Sequence, residues 1–170
     1  MWPMLAGIGP VLGEGDHLGE FFTADGHAVW RYRDGVASAV SDDGKEDRYP
    51  PVARAPYKLT AAPRVAVLID SLTASSGEAV AIAFRGRPHA RFFGEHTRGL
   101  STANEVFALS DGAAIWLTVG IDADRTGRKY IDGFDPDQAI RGRDKILPDD
   151  RDPVLQAALR WLSAVPRGAP

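Results

Sequence analysis

The sequence predicts an α/β domain with a mixed sheet, containing strand–helix–strand units and a β-hairpin. An apolar run at 65–69 precedes a helical segment at 76–85 and a second apolar run at 90–93, which is the order of strand, helix and strand. Strand-like segments at 105–109 and 113–119 enclose an Asp-Gly pair at 111–112, a strong hairpin signal. The chain has 170 residues, 44% of them hydrophobic, so residues 1–170 suit a single domain with its own core.

Composition excludes several classes of function. The net charge of −3 provides no general attraction to nucleic acid. There is no cysteine, so disulfides, thiolate metal sites and a cysteine nucleophile are all excluded. The histidines lack the spacing of a metal site. We therefore expect no metal, no cofactor and no nucleic-acid partner, and the oligomeric state is left open.

The first part of the chain predicts one helix and three strands. Apolar residues between Trp2 and Leu12 follow helical spacing, and Pro3 suits a first turn. Strands are predicted at 20–23 and 27–32, joined by a turn at 24–26, and at 36–40. The polar segment 41–56 is predicted to be an exposed loop. An apolar helix with nothing before it has two interpretations: a helix docked on the core, or a chain that begins inside a longer domain.

The second part begins with the strand–helix–strand unit. The run at 65–69 does not alternate, which is typical of a strand covered on both faces. The helix at 76–85 is ended by Gly86 and Pro88. A turn is predicted at 125–128. The last element is a helix at 153–164, with Asp152 as its N-cap and Pro153 at its first position.

Ser75 has two interpretations. Ser75 and Glu78 have the spacing of a capping box, in which the serine accepts from a first-turn amide and the glutamate reaches back. The same strand-to-helix turn lies at the carboxyl end of a strand, where open α/β sheets place their chemistry. First-turn amides there can stabilise an oxyanion. Spacing alone favours the cap.

Four segments, in order, resemble motifs of the tail-specific (C-terminal processing) protease family. TASSGE at 73–78 resembles its nucleophile turn, and GEHTRG at 94–99 resembles its Gly-Glu-x-Thr-x-Gly segment. LSDGA at 109–113, with 117–118, resembles its Asp-Gly hairpin, and GFDPD at 133–137 resembles its Gly-Ile-Glu-Pro-Asp segment. The order and spacing of these matches carry the resemblance, which spans about 64–140.

The resemblance implies a ClpP/crotonase-like domain and a serine endopeptidase that acts on peptides or proteins. By position, Ser75 matches the nucleophile, the amide of Ser76 matches an oxyanion donor, and Asp135 matches the assisting acid. The segment around the second motif forms a candidate site loop, with Glu95, His96, Thr97 and Gly99. A peptide is expected to bind extended along a strand edge near 99–106.

The general base is not found by this resemblance. One branch of the family uses a lysine just after the second motif, where this chain has Leu100. The four lysines, at 45, 58, 129 and 145, do not fit that position. The chain therefore resembles the histidine-dependent branch, tricorn-like or similar to the retinoid-binding proteins, whose histidine and second oxyanion donor precede the nucleophile turn. This implies an N-terminally truncated catalytic domain that ends a longer protein, and family members are commonly exported.

Three alternatives stay open. His96 is either a local base or an exposed loop histidine. The resemblance favours the exposed loop histidine, because the family often has proline at the matching position. Asp122 and Asp124, and the acidic residues at 149–152, lack calcium-loop spacing and are interpreted as solvated turns and a helix cap. A chain without its base also suits an inactive module that binds a ligand or peptide, as the retinoid-binding members do.

Overall fold

The computed structural model describes residues 1–49, 57–142 and 151–164. The bounds of its three helices and ten strands, in chain order, are these: α1 Trp2–Leu12, β1 Gly15–Thr23, β2 Gly26–Arg33, β3 Val36–Ser41, β4 Glu46–Tyr49, β5 Val65–Ile69, α2 Ser76–Ile82, β6 Ala90–Gly94, β7 Thr102–Ala108, β8 Ala114–Asp124, β9 Lys129–Tyr130, β10 Gln138–Ala139 and α3 Pro153–Ser163. Within this part of the chain, no helix combines the length and hydropathy needed to cross a membrane.

The strands form two sheets where the sequence predicts one mixed sheet. An antiparallel sheet runs in the order β4-β3-β2-β1-β8-β7, with β9 also pairing with β8. A parallel sheet runs in the order β10-β6-β5. Two of the three parallel strands, β5 and β6, come from the predicted strand–helix–strand unit. Neighbours in the antiparallel sheet are joined by hairpins, except for β1 and β8. Because the two sets share no hydrogen-bonded edge among the described strands, the prediction of a single mixed sheet is wrong.

The core lies between the two sheets and the first two helices. Side chains from α1, β2, α2 and β6 meet in one cluster that includes Leu5, Trp30, Ile82 and Phe92. A smaller cluster joins β6 to α3, where Phe93 packs with Ala157 and Ala158. Phe92 and Phe93 thus point to opposite faces of the parallel sheet, as successive strand residues do. These clusters hold the carboxyl ends of β5 and β6 in place.

Two predictions about strands are wrong in part. The predicted loop at 41–56 contains β4, which pairs with β3 in register from Ala37–Tyr49 to Val40–Glu46, while residues 50–56 lie outside the described part. A polar edge strand of this kind is fixed by its partner and gives no hydrophobic pattern. On β5, Leu68 is 43% exposed, whereas the prediction has both faces covered. Ala66 packs against the α3 cluster, whereas Leu68 is not part of it.

Candidate active site

Ser75 lies in a tight turn between β5 and α2. The Asp70 carboxylate stabilises the start of this turn by accepting hydrogen bonds from the backbone N–H groups of Leu72 and Thr73, at 2.9 and 3.0 Å. Ser75 itself has φ 50° and ψ −121°. A positive φ is uncommon for a residue with a Cβ atom, and such strain is concentrated at functional sites. A strained serine between a strand and a helix is the geometry of a nucleophile elbow.

Ser75 differs from the ordinary helix cap found elsewhere in this chain. At the start of α3, Asp152 has φ −73° and ψ 113°, and its carboxylate accepts from the amides of Val154 and Leu155. Ser75 and Glu78 keep the arrangement of a capping box, and Glu78 accepts from the Ser75 N–H at 3.0 Å. Ser75 is nevertheless an exposed residue. The glutamate therefore supports the turn while the serine hydroxyl faces solvent.

The first turn of α2 offers a backbone donor beside this hydroxyl. Within the described residues, the N–H of Ser76 has no hydrogen-bond acceptor, whereas the next amide, of Gly77, donates to the Ala74 carbonyl at 2.9 Å. A free amide at a helix N-terminus can donate to a developing oxyanion. The Ser76 hydroxyl is already engaged, since it accepts from the α-amino group of Met1 at 3.2 Å.

Glu78 connects the nucleophile turn to the candidate site loop. Its carboxylate is completely buried. Besides the Ser75 amide, it accepts from Thr97 Oγ1 at 2.6 Å and from the amides of Gly99 and Leu100 at 2.9 and 2.7 Å. Burial would raise the pKa of Glu78, but these four donors outweigh burial and lower it. An ionised Glu78 therefore fixes Ser75 relative to this loop, a role beyond the capping function predicted from sequence.

The loop at 94–100 is also joined to the segment at 132–135. Gly94 begins the loop with φ 123°, where a Cβ atom would overlap the Ile69 carbonyl. Thr97 is buried, and its hydroxyl accepts from the amide of Phe134 at 3.0 Å. Glu95 accepts from the amide of Gly142 at 2.6 Å. The structure thus brings three of the four sequence motifs together around Glu78.

His96 points toward the 132–135 segment and uses both ring nitrogens there. Nδ1 lies 2.9 Å from Asp135 Oδ1, and Nε2 lies 2.8 Å from the carbonyl oxygen of Asp132. Because both oxygens only accept, this arrangement suits the doubly protonated ring. The carbonyl of Asp132 and then the carboxylate of Asp135 raise the pKa of His96. In this arrangement neither nitrogen can take a proton from Ser75, and His96 is an exposed loop histidine.

Comparison with known proteins decides the family. The sequence profile of Peptidase family S41 matches residues 17–140, well over half of the chain. The chain belongs to peptidase family S41. It is 30% identical to the nisin-resistance protein of Lactococcus lactis subsp. lactis, over 75% of this chain and 38% of that protein.

Two solved structures are similar to this chain in fold. A lipoprotein from Streptococcus agalactiae has a TM-score of 0.61 at 27% identity, covering 95% of this chain and 49% of that chain. The crystal structure of a protein from Bacteroides fragilis, described as a putative S41 protease, has a TM-score of 0.60 at 15% identity. It covers 95% of this chain and 40% of that chain, and it shows the shared fold alone. The chain spans less than half the length of each of these relatives.

Asp135, the acid implied by the resemblance, is placed beside His96. Its side chain is 84% exposed, and its carbonyl accepts from the Arg85 guanidinium. No contact between Asp135 and Ser75 occurs among the described residues, so its role in the S41 site stays a prediction. The neighbouring Asp137 is structural, because it accepts from Arg85 and from the amide of Phe92.

Two aspartates that the sequence interprets as solvated turns are buried in this S41 domain. Asp124 accepts from Tyr130 Oη and Thr126 Oγ1, both at 2.6 Å, which stabilises the turn after β8. Asp122 is only 2% exposed, and its Oδ1 has no partner among the described residues. Burial, and then the charge of Glu78, raise the pKa of Asp122 to about 7. Alternation along β8 places both side chains on the face opposite the apolar residues Ile115, Leu117 and Val119, so the local pattern gives no sign of their burial.

A large cleft opens beside the nucleophile turn. Its volume is about 800 Å³, and Ser75, Ser76 and Asp122 all lie on its wall. The other walls come from the start of α1, the β1–β2 hairpin, the segment around β4, and the strands β7 and β8. Ser75, which is exposed, therefore faces a cavity large enough for a peptide.

Proposed function

We propose that this chain carries the nucleophile of a serine endopeptidase. The observation that carries the proposal is the strained backbone of Ser75, at φ 50° and ψ −121°, in a chain that belongs to family S41. Ser75 Oγ attacks the peptide carbonyl as its proton passes to a general base. The amide of Ser76 stabilises the oxyanion, the C–N bond breaks as the amine takes that proton, and water then hydrolyses the acyl-enzyme.

The base comes from outside the described residues. His96 is engaged by Asp132 and Asp135, and the lysine position of the other branch holds Leu100. The nisin-resistance protein extends well beyond the matched region, which supports a base from residues that precede this chain in a longer protein. Asp135 would then assist from the 132–135 segment. The solved S. agalactiae lipoprotein supports an exported protein.

The substrate is a peptide bound in extended form along β7. In the described part of the chain, β7 ends the antiparallel sheet and pairs only with β8. Its free edge can add one more strand through backbone hydrogen bonds. Thr102, Ala103 and Glu105 of this strand also line the cleft that contains Ser75, so a peptide on this edge lies next to the nucleophile.

The test is labelling with a fluorophosphonate probe, which reacts with activated serines. It is applied to this chain and to a version carrying any residues that precede Met1 in its natural reading frame. Ser75→Ala removes the proposed nucleophile, and Ser71→Ala is the matched control, an exposed serine in the same turn. We expect labelling of the longer form, lost in Ser75→Ala and kept in Ser71→Ala.

Absence of Ser75-dependent labelling in both forms would contradict the proposal. It would instead favour the binding module, in which Ser75 serves only the turn. If the chain without preceding residues is labelled at Ser75, then its base lies within these 170 residues.

A further inference from the structure

The cleft beside Ser75 is lined by carboxylates from several elements. They come from the β1–β2 turn, the β3–β4 segment, β7 and β8, and they are Asp25, Asp42, Asp43, Asp47, Glu105 and Asp122. We call this set of residues, with Ser75 and Ser76, the acidic cleft. No lysine or arginine lines it within the described residues. Walls of one sign concentrate ligands of the opposite charge in a cleft.

Few positive groups oppose these carboxylates. Lys45 pairs with Asp47 at 3.1 Å from outside the lining. The ring of His27 lies 3.3 Å from Glu20. The α-amino group of Met1 lies in the cleft and donates to the Ser76 hydroxyl. Since the remaining carboxylates have no cationic partner among the described residues, the acidic cleft keeps a net negative charge.

Asp122 gives this cleft a built polar site. The residue is almost fully buried, yet its Oδ1 has no hydrogen-bond partner in the described part of the chain. A buried carboxylate without a partner costs free energy, and proteins seldom keep one without a use. A cation or an N–H donor that enters the cleft would satisfy this oxygen. The carboxylate of Glu78 lies close enough to add to its preference for a positive partner.

Aromatic rings complete the walls. Trp116 is 72% exposed on β8, and Trp2 stacks on Tyr49 with ring centroids 4.3 Å apart. All three residues line the acidic cleft. Aromatic faces attract ammonium and guanidinium groups, and they also accept the aliphatic part of lysine and arginine side chains. Carboxylates and aromatic rings together form the surface that suits cationic side chains.

We infer that the acidic cleft selects cationic peptides, with Asp122 receiving a lysine or arginine side chain next to the bond that Ser75 attacks. The inference rests on the proposed peptidase function, because it names the substrate class of that site. A peptide on the β7 edge would place its alternate side chains between Asp122 and the aromatic rings. Neutral and acidic peptides would lose these contacts.

The test measures binding and is independent of catalysis. The Ser75→Ala form of the chain is titrated by calorimetry with a short, capped peptide that carries several lysines. Its counterpart has glutamine at the same positions. We expect the lysine peptide to bind at least about tenfold more tightly at low ionic strength. Added salt should reduce this preference, because it screens the carboxylates.

Variants identify the groups responsible. Asp122→Asn should reduce the preference for lysine several-fold. Glu105→Gln should also reduce the preference for lysine. Glu105 is exposed and has no side-chain partner among the described residues, so this test does not require a substitution in the core. Asp111→Asn removes a carboxylate outside the cleft and should leave the preference unchanged.

Equal affinity for the two peptides, no binding of either, or a preference that survives both Asp122→Asn and Glu105→Gln would overturn the inference. The fluorophosphonate result is separate from these outcomes. A preference for the lysine peptide without Ser75 labelling would contradict the peptidase function but support a binding site for cationic peptides. Ser75 labelling without a preference for the lysine peptide would support the peptidase function but contradict cationic peptides as its substrate class.

Discussion

Ser75 is held in a backbone conformation that costs free energy for any residue with a Cβ atom. Such strain is typically about 1–3 kcal/mol and persists only where the surrounding structure enforces it. Here the Glu78 carboxylate holds Ser75 by accepting a hydrogen bond from its amide, and the Asp70 carboxylate holds the start of the turn by accepting from the amide of Leu72. A simple helix cap does not need this conformation, as Asp152 shows at the start of α3.

Substitution by glycine distinguishes the two interpretations of Ser75 by the sign of the effect. Glycine adopts a positive φ readily, so Ser75→Gly should relieve strain and raise the free energy of unfolding by about 1 kcal/mol. If Ser75 acted only as a cap, glycine would lower the free energy of unfolding by roughly a few tenths of a kcal/mol. Urea denaturation of the wild type, Ser75→Gly and Ser75→Ala measures this difference. A less stable glycine variant would contradict the assignment of strain.

The sequence indicated the turn around Ser75 but not its conformation. The capping-box spacing and the family motif both place Ser75 between a strand and a helix, and the structure agrees. Neither pattern predicts the hydrogen-bond partners of Glu78, because Thr97, Gly99 and Leu100 lie on a loop that is distant in sequence. Contacts of this kind depend on tertiary packing, so local patterns do not show them. The same reason explains why the burial of Asp122 was missed.

At the scale of elements, α1 depends on a side chain from the connection between α2 and β6. The helix has no basic residue in its last turn to pair with its free carbonyl groups. The buried Arg87 supplies this function: Nη2 and Nε donate to the carbonyls of Val11 and Leu12, both at 3.0 Å. Nη1 donates to the carbonyls of Pro63 and Pro88. One guanidinium thus joins the end of α1 to the segments that precede β5 and β6.

Removing this guanidinium should destabilise the domain strongly. Arg87→Met leaves four backbone carbonyls without their donor, and we expect a loss of about 2–4 kcal/mol in the free energy of unfolding. Arg87→Lys keeps the charge but not the planar set of donors, so its loss should be intermediate. Arg98→Met, at an exposed position, is the control and should change stability by less than about 0.5 kcal/mol. Equal stabilities of Arg87→Met and the control, measured by urea denaturation, would refute the tertiary cap.

Elements with a strong local pattern were predicted well. The helix from Trp2, the hairpin at 105–119 and the capped helix from Pro153 all have apolar periodicity or turn residues that act locally, and each is present in the structure. The strand β4 has neither signal, since Glu46–Tyr49 is polar and its place is set by pairing with β3. The division into two sheets was also missed, because strand order between distant segments is a property of the whole chain.

At the scale of the whole molecule, two buried carboxylates give stability opposite dependences on pH. Glu78 has a lowered pKa, so its stabilising contribution is present above its unfolded pKa and is lost as the pH falls through its folded value. Asp122 has a pKa raised to about 7, so the folded state binds its proton more tightly than the unfolded state. Stability from Asp122 therefore falls as the pH rises from about 4 to about 7. Such a cost is expected where a group is kept for binding or catalysis.

The variant Asp122→Asn isolates this cost. Asparagine cannot ionise, so it escapes the penalty that the wild type incurs at neutral and higher pH. Relative to wild type, its free energy of unfolding should rise by about 3 kcal/mol between about pH 5 and about pH 8. Thermal or urea denaturation at the two pH values measures the change, and Asp111→Asn, at an exposed position, should show none. If the difference between Asp122→Asn and wild type is the same at both pH values, then Asp122 is already ionised at the lower one. Its unpaired oxygen would in that case have a partner outside the described residues.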